Sequence, residues 1–369
     1  MDRQAVVDLD AITGNVTALC EWVGTSQVMA VVKADGYGHG MVPAARAALA
    51  GGASWLGTAD LAEAVALRRA GLTAPVLCLM AVGDPAEAIG LGIDVTASSA
   101  EFVTRVADAA LRAGVTARLH LEADTGLTRG GASRAGWPGV VEAALAAQAR
   151  GPVRVVGLWS HFACADLPGH PSIAAQLAAF GQAVAAAEQA GVTPEVRHIA
   201  NTAAAITVPE SRLDLVRFGG AVYGLSTLPG GAPSWLRPAM KLTARLALVK
   251  RVPPGSGVSY GHRYVTEKQT TLGLVPLGYA DGVPRAAVGQ HLVSARGRRW
   301  PIAGTVCMDQ FVIDFGDEPV AAGDEVVLFG PGDDGEATAQ EWGERLGTIS
   351  YDIATGIGAR VPRHYPGGF

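Results

Sequence analysis

Cysteine is scarce in this chain of 369 residues, and the little there is does not cluster. Cys20, Cys78, Cys164 and Cys307 lie far apart, with no CxxC pair and no Cys/His grouping. No metal site is expected from that spacing, and reduced thiols in the cytosol fit it. Basic blocks are missing as well. The net charge is -5 and the pI about 5.9, so nucleic acid is not an expected partner. Two long stretches without formal charge, 167–187 and 218–236, are interrupted by proline and glycine. Neither offers the roughly 20 strongly apolar residues of a membrane span. The start, Met1-Asp2-Arg3-Gln4, lacks the layout of a signal peptide. A cytoplasmic location is expected. No Walker motif occurs, and no repeat beyond an alternation of short and long segments.

What is present is apolar material: 49% hydrophobic against 17% charged residues, enough for sizeable cores. Short apolar runs recur at 28–32, 55–58, 76–80, 93–96, 117–122, 155–160, 197–199 and 213–217. Alanine-rich helical stretches separate them, at 41–50, 61–70, 99–113, 140–150 and 172–190 among others. These end near Gly51, Gly71, Gly114, Gly151 and Gly191, as left-handed C-caps require. Strands that alternate with helices pair in parallel, and eight such units close into a (β/α)8 barrel over 10–231.

From 232 to 369 the texture changes. Runs at 241–252, 270–277, 302–313 and 325–329 are separated by glycine, proline and aspartate, and a helix is expected only at 337–345. This reads as a separate, mostly β domain, with the boundary in Pro229-Gly230-Gly231-Ala232-Pro233 and residues 1–9 pairing with it.

The first barrel strand runs into Lys33-Ala34-Asp35-Gly36-Tyr37-Gly38-His39-Gly40. Two readings stand for this lysine. It can snorkel at a strand end, or it can be a Schiff-base lysine whose pKa falls on burial. Barrel enzymes carry their chemistry at the C-terminal ends of the strands. There this chain also puts Asp124 and Arg129 after strand five, His161 after strand six, Asn201 and Thr202 after strand seven, and Arg217 at the end of strand eight. Gly219, Gly220, Thr202 and Tyr37 would offer N–H and hydroxyl donors to a phosphate. A lysine beside a phosphate cradle points to pyridoxal 5'-phosphate.

On these motifs the chain resembles the alanine racemases, fold-type III pyridoxal-phosphate enzymes. The resemblance spans the chain. It is carried by Val31-Val32-Lys33-Ala34-Asp35-Gly36-Tyr37-Gly38-His39-Gly40, His161-Phe162-Ala163 and Arg217-Phe218-Gly219-Gly220. In the second domain it is carried by Val258-Ser259-Tyr260-Gly261, Gly278-Tyr279-Ala280-Asp281-Gly282, Cys307-Met308-Asp309-Gln310 and Ser350-Tyr351-Asp352.

The resemblance implies roles. Lys33 would bind the cofactor covalently and act as one of two bases, serving the D-isomer, and Tyr260 would serve the L-isomer. A tyrosine with an ordinary pKa near 10 needs about three units of lowering, roughly 4 kcal/mol, to act as a base at neutral pH. His161 would contact Tyr260, with Arg217 behind it. Tyr37, Asn201, Thr202, Gly219, Gly220 and Tyr351 would hold the cofactor. Thr202 replaces a serine usual in the family, and Phe218 a common proline. Arg129 and the Met308 N–H would take the substrate carboxylate. Asp309 supports that loop, and Tyr279, Asp166 and Arg285 would line the access path. Glu122 stands where many members carry a carbamylated lysine, and a direct pair between Glu122 and Arg129 is expected. Tyr260 and Met308 would reach the barrel of a second subunit, giving a homodimer with composite sites.

Interconversion of L- and D-alanine for peptidoglycan is therefore the expected activity. A broader racemase, for example of serine, stays open, as does a noncatalytic pyridoxal-phosphate carrier. A decarboxylase of the same fold would have no use for a second base at Tyr260. By resemblance, Arg217 faces the pyridine nitrogen, and an arginine cannot accept a proton. The ring is then a weaker electron sink, which protects against transamination. In Arg217→Glu the yield of cofactor-amine by-product per turnover should rise, as read from cofactor absorbance. An unchanged yield would remove this account of Arg217.

Overall fold

The alternation of buried β-branched runs with alanine-rich helices builds a barrel. In a computed structural model that describes residues 2–367, β1 (Arg3–Val7) belongs to another sheet. The barrel strands are β2 (Gln27–Val31), β3 (Trp55–Thr58), β4 (Val76–Cys78), β5 (Asp94–Ala97), β6 (Ala117–Glu122), β7 (Val153–Trp159), β8 (Val196–His198) and β9 (Leu215–Phe218). Neighbours pair in parallel from β2 to β8, and β2 also pairs with β9. Between β8 and β9 the closure rests on isolated bonds, Asp214 N–H to Arg197 O (3.2 Å) and Arg217 N–H to Ala200 O (3.1 Å). The barrel is thus nearly closed. Every residue of β3, β4, β5 and β9 is buried, as strands covered on both faces require.

Helix starts follow from side-chain caps. Asp8, Asp60 and Ser99 each accept an N–H of the first turn. At the helix ends Gly71, Gly114, Gly151 and Gly191 have positive φ. Gly51 does not: its φ is -76°, and the left-handed residue is Gly52. Gly51 answers a different need, since a Cβ there would lie 2.5 Å from Thr13 O on the neighbouring helix.

The second domain is a nine-stranded sheet. β1 lies between Met240–Arg245, antiparallel, and Arg363–His364, parallel. The run 241–252 is two strands, Met240–Arg245 and Leu248–Val252. The run 302–313 also divides, into Arg298–Ala303 and Phe311–Asp314. Gly304 breaks it: its φ is 74°, and a Cβ would lie 2.5 Å from Val258 O. The loop so released carries Met308. The strand His291–Ala295, the ladder of Gly257–Val258 with Tyr264–Val265, and the helix Ser350–Thr355 were not expected from the sequence. That helix abuts the Lys33 segment, where a Cβ on Gly38 would lie 2.5 Å from Ala354 O.

Candidate active site

Lys33 does not simply end a strand. It opens a turn in which Ala34, Asp35, Gly36 and Tyr37 all have left-handed backbone, with φ from 51° to 62°. Outside glycine such a conformation costs roughly 1–2 kcal/mol per residue, so the turn needs support. Glu63 accepts from Ala34 N–H (2.7 Å) and Ala59 N–H (2.8 Å). Asp35 accepts from Met41 N–H (2.8 Å). His39, fully buried, brings Nδ1 to 3.0 Å from Gly36 O and 2.9 Å from Tyr37 O. Both partners are acceptors, so Nδ1 carries the proton. From the second domain, Arg363 donates to Gly38 O and Tyr365 to His39 O. Burial lowers the Lys33 pKa from the usual lysine range, helped by the positive charges of Arg129 and Arg217 and opposed by Glu63.

Arg217, 3% exposed, is the hub of the barrel mouth. Its Nη1 meets His198 Nδ1 at 2.9 Å. Its Nη2 reaches Ser160 O (2.9 Å), His161 Nδ1 (3.1 Å) and Ile199 O (3.3 Å), and the guanidinium lies 4.8 Å from the Trp159 ring centre. Burial pushes its pKa down to about 9, which still leaves it charged at neutral pH. A guanidinium only donates, so both histidines accept at Nδ1 and carry their proton on Nε2. The chain of donors then runs onward, from His198 Nε2 to His120 Nδ1 (3.1 Å) and from His120 Nε2 to Asp94 (3.2 Å). Burial, with Arg217 next, holds His161 and His198 well below the usual histidine range, hence neutral.

Hydroxyls gather beside this hub. Thr202 Oγ1 accepts from Gly219 N–H at 3.1 Å, which leaves the threonine proton free to donate. Asn201 caps the helix Thr202–Thr207. Tyr37 packs edge-on against Tyr351 (5.6 Å between centroids). Burial pushes the Tyr351 pKa up to about 12 and raises that of Tyr37, so both keep their protons. A Cβ on Gly219 would lie 2.2 Å from Tyr37 Oη, and one on Gly220 2.1 Å from the Tyr351 ring. Only glycine permits that approach. Asp166 faces Tyr351 closely enough to raise its pKa, after burial.

Asp124 Oδ1 shapes the Arg129 loop by accepting from Gly126 and Thr128 N–H. The direct pair expected between Glu122 and Arg129 is not formed. Glu122 accepts from Ser98 Oγ at 3.0 Å, and Arg129 makes no ion pair among the described residues. Burial raises the Glu122 pKa, opposed first by the Ser98 bond and then by the charges of Arg217 and Arg129. Gln176 was missed. Buried on the helix Pro171–Gln189, it donates to Thr125 Oγ1 and His161 O and accepts from Ala163 N–H, tying two rim loops together. One of three glutamines in an alanine-rich helix, it gave no signal beyond its polarity.

The remaining residues lie on the second domain and point outward. Tyr260, Met308 and Tyr279 are 74%, 52% and 43% exposed, and Asp309 and Arg285 are exposed too. Within one chain Tyr260 makes no hydrogen bond to His161 among the described residues. The Met308 loop is held firmly. Tyr279 and Ala280 N–H donate to Cys307 and Met308 O, and Arg360 bridges Asp309 (2.6 Å) and buried Asp281 (3.3 Å).

Residues 7–227 match the family model for the alanine racemase N-terminal domain, and 239–365 that for its C-terminal domain. The chain belongs to the alanine racemase family. An alanine racemase of Thermobifida fusca is 58% identical over 366 residues, 99% of this chain and 98% of its own. The crystal structure of the alanine racemase from D-cycloserine-producing Streptomyces lavendulae is 53% identical and covers 100% of this chain and 98% of its own, with TM-score 0.98. That from Bacillus anthracis with bound L-Ala-P is 35% identical over 99% and 95%, with TM-score 0.91. Members of the alanine racemase family are pyridoxal-phosphate enzymes.

One consequence of the Lys33 turn is measurable without substrate. Burial pushes the His39 pKa down to about 4. Its stabilising neutrality is complete above the unfolded pKa near 6.5 and is lost as pH falls toward 4, because the unfolded chain then binds the proton first. Urea unfolding should show a fall of about 2 kcal/mol between pH 7.5 and 5.0 from His39 alone. The fall should shrink by that amount in His39→Asn, and an unchanged fall would contradict it.

Proposed function

We propose that this chain interconverts L- and D-alanine with pyridoxal 5'-phosphate, by removing the Cα proton on one face and replacing it on the other. The observation that carries the reading is a lysine of depressed pKa on the same rim as a buried, fully bonded arginine and a hydroxyl cradle. The cradle fits the cofactor: neutral Tyr37, Tyr351 and Thr202 hydroxyls converge on a backbone that only Gly219 and Gly220 allow. Those residues, with Asn201 supporting Thr202, would hold the phosphate, Lys33 the aldehyde carbon, and Arg217 the ring nitrogen. When bound, the cofactor supplies the electron sink that makes the substrate Cα–H acidic.

The rest is done by the protein. Lys33, its pKa lowered by burial, takes or returns the proton on one face. Arg129 and the Met308 N–H orient the substrate carboxylate, and Asp309 steadies the Met308 loop through its pair with Arg360. His161, neutral with its proton on Nε2, and the charge of Arg217 behind it would stabilise a phenolate on Tyr260 of a second copy. Tyr279, Asp166 and Arg285 would line the access path. A homodimer with composite sites is part of the proposal, supported by the exposure of Tyr260 and Met308 on otherwise well-held loops. So is cytoplasmic D-alanine supply for peptidoglycan. No helix among the described residues is long and apolar enough to cross a membrane, and all four cysteines are free.

Two measurements test this. Purified protein given single enantiomers, followed by chiral chromatography, should racemise alanine above serine or lysine. Preference for another amino acid would overturn the substrate, and bound yellow cofactor without turnover would favour a carrier. Lys33→Ala and Tyr260→Phe should each be inactive. Co-expressed and mixed at random, they should regain about a quarter of native activity, because half the dimers then hold one intact composite site. No recovery would place both bases in one subunit.

A further inference from the structure

Non-glycine residues of positive φ are concentrated at the proposed site. Among the described residues there are eight, and six flank its side chains. Ala34, Asp35 and Tyr37 follow Lys33, Thr128 precedes Arg129, and Ser259 and His262 bracket Tyr260. Ser259 is a severe case. Its φ of 60° and ψ of -171° fall in a region that is essentially reserved for glycine.

The serine is kept there by a reciprocal exchange with one loop. Ser259 Oγ donates to Thr305 O at 2.6 Å and lies 3.2 Å from Cys307 Sγ. Thr305, buried, returns a bond one residue further on, its Oγ1 donating to Tyr260 O at 2.9 Å. Gly304 lets the two segments touch, since a Cβ there would meet Val258 O at 2.5 Å. The Tyr260 side chain has no hydrogen bond of its own within the chain among the described residues. Its direction is set by the backbone that carries it.

We propose that Ser259 is a positioning residue whose strained backbone, locked by the exchange with Thr305, aims the Tyr260 phenol into the partner barrel. A glycine would adopt this conformation without strain but would also leave it freely. Serine with an anchored hydroxyl has one direction only. The inference rests on the two-base reading given above.

The test follows the proton. With D-alanine in deuterium oxide, the Cα–H bond breaks toward Lys33 and the electron pair stays on the substrate. Lys33 exchanges its proton with solvent. A deuteron then returns from Lys33 to the same face, giving deuterated D-alanine, or from Tyr260 to the other face, giving L-alanine. A misdirected Tyr260 slows only the second path. In the holoenzyme the early ratio of deuterated D-alanine to L-alanine should rise about five-fold in Ser259→Ala, Ser259→Gly and Thr305→Val, the effect of one lost hydrogen bond.

Thermal unfolding of the purified variants gives a second readout. Ser259→Ala and Ser259→Gly both lose the hydroxyl, but only alanine keeps a strained Cβ, so the glycine variant should melt higher. Ratios that stay native while racemisation falls would reduce Ser259 to general support and overturn the proposal. An alanine variant that melts at or above the glycine variant would overturn the strain. Tyr260→Phe separates the two layers. A raised ratio there without one in the Ser259 and Thr305 variants sinks the positioning proposal alone. No rise in Tyr260→Phe sinks the two-base reading, and this proposal with it.

Discussion

A full positive charge is buried at the mouth of the barrel, and much of the interior is arranged around it. An uncompensated guanidinium there would cost several kcal/mol. Arg217 avoids this by giving its N–H groups to acceptors from the ends of two neighbouring strands: Ser160 O and His161 after β7, His198 in β8 and Ile199 O after it. Because arginine only donates, it fixes the polarity of everything beyond it. His198 and His120 can each pass a bond in one direction only, and the line ends on Asp94, buried and paired with Arg118. His198 and His120 thus connect a buried cation to a buried anion.

The same arrangement explains the contrast between the two proposed bases. The Lys33 pKa is lowered by burial and by the cations around it, so its environment works inside one chain. Tyr260 has no such environment in its own chain, where it is largely exposed. The cation that could stabilise a phenolate sits on the barrel and the phenol on the β domain. Chemistry at neutral pH then asks for the two surfaces to meet, and the proposed dimer is the economical way to do it.

The barrel was legible because its signal is local and periodic. The eight runs and the observed strands differ by no more than two residues at either end. Lys33, His161 and Arg217 could be named because strand ends follow from strands. What escaped depends on contacts distant in sequence. The left-handed turn after Lys33 places alanine, aspartate and tyrosine where glycine would be expected, and its support comes from Glu63, His39 and the second domain. The division of 302–313 depends on Gly304 meeting Val258 O. The expected Glu122–Arg129 pair failed because Glu122 turns to Ser98, a partner 24 residues away that residue type alone does not reveal.

The exposed loops of the β domain also look less like loose ends once their anchors are traced. Asp281, fully buried, accepts from Gly278 N–H and pairs with Arg3 and Arg360, and Arg360 continues to Asp309. Gly278 must be glycine, for a Cβ would lie 2.3 Å from Met308 O. A surface that shows Tyr279, Met308 and Tyr260 on a framework this fixed has little conformational entropy left to lose on association. Aromatic and methionine side chains of this kind are enriched at interfaces. Strain and ion pairing within the single chain therefore act in the same direction: they hold Tyr260, Tyr279 and Met308 on a fixed framework, ready for the second copy of the proposed dimer.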